Sequence, residues 1–85
     1  MKFHLEPVNH DKISDLCGPT NSILKQIEEE LGIKILNRGA SFRIKGETSN
    51  AQIAKNIILR IYDDLEENKT ISSEEVHLYL RKGMN

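Results

Sequence analysis

The sequence predicts a two-layer α+β domain in which a three-stranded antiparallel sheet has helices packed on one face. Three observations lead there. Segments at 2–6, 33–36 and 41–46 alternate polar and apolar side chains, the period of a half-buried strand. Segments at 22–31, 50–66 and 73–82 repeat apolar residues every three or four positions, the period of a helix with one buried stripe. The breaks at Gly18-Pro19, Gly32 and Gly39 fall where those periods change. A chain of 85 residues is one domain. Such a domain buries only about 60–65% of its unfolded surface, which leaves a small core and no room for a deep enclosed site.

Each element follows in order. KFHLE (2–6) puts Phe3 and Leu5 on one face of a strand that Pro7 ends. NHDKISDL (9–16) reads as a short helix, with Asn9 as its cap and Ile13 and Leu16 on one side. Gly18-Pro19-Thr20-Asn21 breaks the chain, and Asn21 or Ser22 caps the next helix, 22–31. There Ile23, Ile27 and Leu31 recur every four residues, Leu24 widens the stripe, and Lys25 with the glutamates 28–30 takes the wet side. Gly32 follows Leu31 where a left-handed C-terminal residue belongs. IKIL (33–36) and SFRIKG (41–46) flank the loop NRGAS (37–41), which predicts a hairpin.

Ser49-x-x-Gln52 has capping-box spacing and is expected to open the longest helix, 50–66, with Ile53, Ala54, Ile57, Ile58, Ile61 and Leu65 as its core stripe. The polar stretch EENKT (66–70) leads to a second capping box, Ser72-x-x-Glu75. That box opens a helix 73–82 carrying Val76, Leu78, Tyr79 and Leu80, which Gly83 is expected to end. This last helix has one apolar face and little left to bury it against. Tyr62 and Tyr79 are expected at helix edges.

Charge and composition narrow the function classes. Twelve basic and thirteen acidic residues give a net charge of −1, not the strongly basic balance of a duplex-DNA binder. The acids are uneven, however. Residues 34–45 hold Lys34, Arg38, Arg43 and Lys45 with no acid among them. Read alone, those cations are the solvated face of a hairpin. A single Cys17 rules out an internal disulfide, and its plain reading is a small buried hydrophobe. His4, His10 and His77 have no metal-ligand spacing. Glutamates 28–30 splay around their helix and make no two-carboxylate site. No nucleophile–base pair, metal cluster or phosphate loop can be assembled, so no enzyme activity is expected within these residues. No apolar run follows Met1-Lys2, and none approaches a membrane span of about 18 residues, so a soluble, cytoplasmic protein is expected.

The order helix, GxxG-type turn, helix ending in glycine, hairpin and long helix resembles the type I KH domain, over Ile13 to about Leu65. GPTNSILKQIEEELGIKI and SFRIKGETSNAQIAKNII are the stretches that carry it. A closer resemblance joins FHLEP, LCGP, ELGI and the terminal EEVHLYLRKG. Together they look like the N-terminal domain of PhoH-like (phosphate starvation-inducible) proteins, where a KH-like module precedes a P-loop ATPase. This resemblance implies a KH-like domain at 1–67, with a linker and connector helix at 68–85 leading toward an ATPase domain. No G-x-x-x-x-G-K-[ST] occurs in this sequence. ATP and Mg would belong to that missing domain, with no cofactor in this chain. The implied partners are single-stranded RNA and the parent's own ATPase domain, without a membrane, and the full-length protein could form an oligomer.

By the same resemblance, Gly18, Pro19, Thr20 and Asn21 take the four positions of the loop that holds a nucleic-acid backbone. Ile13, Leu16, Ile23 and Ile35 would floor the groove, with Ser22 and Lys25 on the second helix and Asn37 and Arg38 on the hairpin side. The physics behind such a loop is that glycine permits close approach and a helix N-terminus offers free N–H groups. Two departures reduce the grip. Pro19 removes a donor, and Asn21 replaces a glycine, although asparagine tolerates the left-handed region and caps helices. The middle pair, Pro19-Thr20, also lacks the basic residue that many such loops carry. A Gly-Pro turn before a capped helix is also ordinary punctuation between helices. The other reading is therefore a KH scaffold that docks or assembles the ATPase without touching nucleic acid.

Overall fold

Alternating side chains in three short segments form one antiparallel sheet in the computed structural model, which describes residues 1–17, 21–65 and 71–84. The strands are β1 (Lys2–His4), β2 (Lys34–Arg38) and β3 (Ser41–Lys45), in the spatial order β1-β3-β2. Register fixes which side chains share a face. Phe3 pairs with Phe42, and Ile35 with Ile44, so all four point to the same side. Phe3 and Phe42 stack there with ring centroids 5.4 Å apart. Helices α2 (Ser22–Leu31) and α3 (Thr48–Asp64) cover that side, touching β2 and β3 respectively. The domain is α+β, and its β-α-α-β-β-α order with a further helix is compatible with type I KH-like topology.

Several ends differ from the periodicity. β1 stops at His4, two residues early, although Leu5 stays fully buried and donates its N–H to the Ala40 carbonyl. β2 runs on to Arg38, leaving a two-residue turn, Gly39–Ala40, with Gly39 at φ 59. A glycine at the first turn position is what a twisted hairpin accepts there.

α1 (His10–Cys17) is capped as expected, with the Asn9 side-chain oxygen accepting the Lys12 N–H at 3.1 Å. α2 closes at Gly32 (φ 63), and the Glu28 carbonyl accepts the Ile33 N–H. Asn50 reaches over from α3 to donate to the Leu31 carbonyl at the end of α2. The first capping box does not form. α3 starts at Thr48, Ser49 Oγ donates to Glu47, and Gln52 turns to Asn56, so the box residues bond elsewhere. The second box does form: Glu75 N–H donates to Ser72 Oγ at 3.2 Å, and Ser72 N–H to Glu75 Oε1.

The last helix, α4 (Ser73–Met84), finds more to pack against than its sequence promised. Val76 and Leu80 are fully buried in the same cluster as the sheet and α2–α3 side chains, while Leu78 is exposed. Gly83 does not end it. A Cβ there would meet Ile57 Cδ1 at 3.0 Å, so the glycine serves close helix approach. Tyr62 is no edge residue either. It is buried, donates to the Pro7 carbonyl at 2.6 Å and accepts the Asn9 N–H at 2.9 Å. One side chain thereby fastens the β1–α1 connection to α3.

Candidate nucleic-acid interface

The end of α1 lies against β2. Asn37, on the helix-facing side of that strand, donates from Nδ2 to the Cys17 sulfur at 3.5 Å. Burial pushes the Cys17 thiol up, and the Asn37 hydrogen bond opposes it only in part. A thiol held protonated this way is a poor nucleophile. The junction that follows places two of the expected residues. Asn21 is exposed and left-handed (φ 54), as its tolerance of that region allows, yet its side chain caps nothing. Ser22 starts α2 and is exposed. Gly18, Pro19 and Thr20 lie outside the described residues.

The expected floor is nearly closed. Ile13, Leu16, Ile23 and Ile35 are all core members, and Leu16 and Ile35 expose 0% and 8% of their surface. Glu28 reaches the β2 edge beside it, its carboxylate accepting the Ile35 N–H at 2.8 Å. An acceptor-only group of negative charge therefore sits on the β2 edge beside that floor. Lys25 is exposed but borders a depression shared with Ser22, Gln26, Glu29, Ile71 and Ser73, near the start of α4. Gln26 donates to the Ser73 carbonyl there.

Arg38 belongs to the opposite side of the sheet. It pairs with Ser41, whose neighbours Phe42 and Ile44 point inward on alternate positions, so Arg38 and Ser41 face outward together. The expected set thus divides. Asn37 and the start of α2 flank the α1–α2 junction, Ile35 is buried, and Arg38 sits on the uncovered face.

That uncovered face gathers cations which linear reading had left apart. Lys2, Arg43 and Leu36 form one row across the three strands; His4, Ser41 and Arg38 form the next; Lys34 lies opposite Lys45. His4 Nδ1 and Ser41 Oγ are hydrogen-bonded at 2.8 Å. A shallow depression of about 480 Å3 runs over the first two rows, with no acid among the described residues that line it. Sequence reasoning singled out Lys34, Arg38, Arg43 and Lys45 but missed Lys2 and His4. The signal was available, because these are the outward positions of the KFHLE alternation, which the β1–β3 pairing brings alongside.

Among the described residues no cluster of histidine, cysteine and carboxylate side chains could hold a metal ion. No described helix is long and apolar enough to cross a membrane. No protein-family model matches the chain, and no solved structure matches it significantly.

Proposed function

We propose that this chain is a KH-like module binding single-stranded nucleic acid, without catalytic activity of its own, from the N-terminal part of a PhoH-like ATPase. The observation that carries the reading is the β-α-α-β-β-α order in which the end of α1 meets β2 through Cys17 and Asn37. In a KH-type arrangement this is where about four nucleotides lie. ATP and Mg belong to the attached ATPase in this reading, and the protein works in the cytoplasm. A low-salt titration of labelled single-stranded RNA tests it. Amide shifts are expected around Ser22, Lys25, Asn37 and Arg38, and a spectrum unmoved at millimolar RNA would sink the reading. A Walker A motif soon after Asn85 in the parent gene would support the ATPase assignment.

A second reading has its own observation. Leu78 is 56% exposed on α4, beside a depression lined by Gln26, Glu30, Ser73, Glu74 and His77. In this reading the α2–α4 side docks the ATPase domain and the module regulates or assembles it. Hydrogen exchange of α4 would then be slower in the full-length protein than in the isolated chain. Equal exchange in the two forms counts against docking.

A further inference from the structure

We infer that the uncovered face of the sheet carries a phosphate-binding surface for single-stranded nucleic acid in addition to the groove beside β2. This rests on the nucleic-acid reading above and names a second surface that would serve it.

Five cations lie on that face: Lys2, Lys34, Arg38, Arg43 and Lys45. Their arrangement is unfavourable in the free protein. Lys34 stands directly opposite Lys45, and Lys2 directly opposite Arg43, and like charges facing across a strand pair destabilise a sheet. A row of phosphates relieves both repulsions at once. Lysines on a sheet can instead protect an edge from pairing with another chain. That accounts for Lys2 and Lys34, but not for Arg43 and Lys45, which sit on the central strand where there is no edge to protect.

The open face also offers surfaces to bases. Leu36 is 41% exposed between Arg43 and Arg38, and His4 lies on the same depression. Guanidinium and imidazole planes stack on unpaired bases. Cations for phosphates beside Leu36, His4 and the guanidinium planes for bases is the combination a single strand requires, and it is not what an acidic protein segment would use.

The test is fluorescence anisotropy of a labelled oligouridylate of about 12 nucleotides, a length within the usual single-strand site range, against the whole chain at several salt concentrations. The double variant Arg43→Glu with Lys45→Glu is compared with Arg81→Glu with Lys82→Glu, which makes the same charge change on α4. Lys45→Glu faces Lys34 and creates an opposite-charge pair, so the sheet variant is expected to keep its fold. Arg43→Gln with Lys45→Gln serves if it does not. The sheet variant should weaken binding about tenfold or more and flatten the logarithmic salt dependence by about 1.4, at about 0.7 per lost phosphate contact. The α4 variant should shift binding by less than about threefold, an effect of net charge alone.

Three outcomes overturn the proposal. If RNA binds but Asn37→Asp removes binding while the sheet variant retains it, the groove alone is the site and the nucleic-acid reading survives. If both double variants lose equally, the attraction is diffuse. If RNA does not bind while polyglutamate does, the nucleic-acid reading falls with it and the face belongs to an acidic protein.

Discussion

The carboxylate of Glu28 on α2 accepts the backbone N–H of Ile35 on β2 at 2.8 Å. β2 is an edge strand, so this amide has no strand partner on its outer side. The charged acceptor makes the bond stronger than a neutral one. Glu28→Ala should destabilise the fold by about 1–2 kcal/mol, the usual penalty for stranding a partly buried donor. The direct readout is hydrogen exchange at the Ile35 amide, which should quicken more than that of Ile44 on the central strand.

Tyr62→Phe removes one oxygen and strands two backbone groups, the Pro7 carbonyl and the Asn9 N–H. The ring itself remains, with Lys12 Nζ 4.4 Å from its centre. A loss of about 2 kcal/mol in urea unfolding is expected, with little change in the slope. A loss below about 0.5 kcal/mol, the ordinary range for a neutral surface change, would show that neither bond contributes.

Gly46→Ala tests the exit of the hairpin. Gly46 has φ 150, and an added Cβ would lie 2.7 Å from Ile33 Cγ2. Both the backbone conformation and the contact resist the methyl group. The expected cost is about 1–3 kcal/mol, read as a lower thermal midpoint. Gly39→Ala meets no neighbouring atom and carries only the backbone strain, so it should cost less.

Tyr79 gives the fold a signature in strong base. Its phenol is pushed up to about 12, first by burial, then by its hydrogen bond to Asp64 and the charges of Asp64 and Glu75, with Arg60 opposing. A group whose folded pKa is raised contributes stability in full below its unfolded value of about 10. That contribution fades as pH climbs through the folded value. Between those limits the wild type should lose stability more steeply than Tyr79→Phe, which has no proton to release. Ultraviolet titration should resolve one tyrosine ionising near the upper limit.

Where the apolar period was long and regular, the chain could be read directly. Ile23, Ile27 and Leu31 marked α2, and the alternation on either side of Gly39 marked the hairpin. What escaped depended on residues far apart in sequence. The Tyr62 hydroxyl bonds to groups more than fifty positions away, so no local pattern announces it. Gly83 looked like a stop because spacing cannot tell a terminating glycine from one that admits Ile57 of another helix. Ser49 has the spacing of a cap, yet the chain enters α3 two residues earlier than that spacing predicts, and Ser49 turns to Glu47. At the candidate site, Asn37 was expected on the hairpin side of the groove through the resemblance alone, and its hydrogen bond to Cys17 joins groups twenty positions apart. The Glu28 carboxylate on the Ile35 N–H was not legible, since alternation says nothing about what a neighbouring helix lays across a strand edge.

The strand order carries a consequence for the chain as it emerges during synthesis. β3 lies between β1 and β2, yet it is the last of the three to be made. Until residue 41 and its successors leave the ribosome, Lys2 and His4 have nothing to join them to Arg38 and Lys34. A nascent chain stopped short of β3 would hold two orphaned strands and no cationic surface. That surface comes into being only when the middle strand slides in between, so the earliest half of the chain can be present and still have no face to offer.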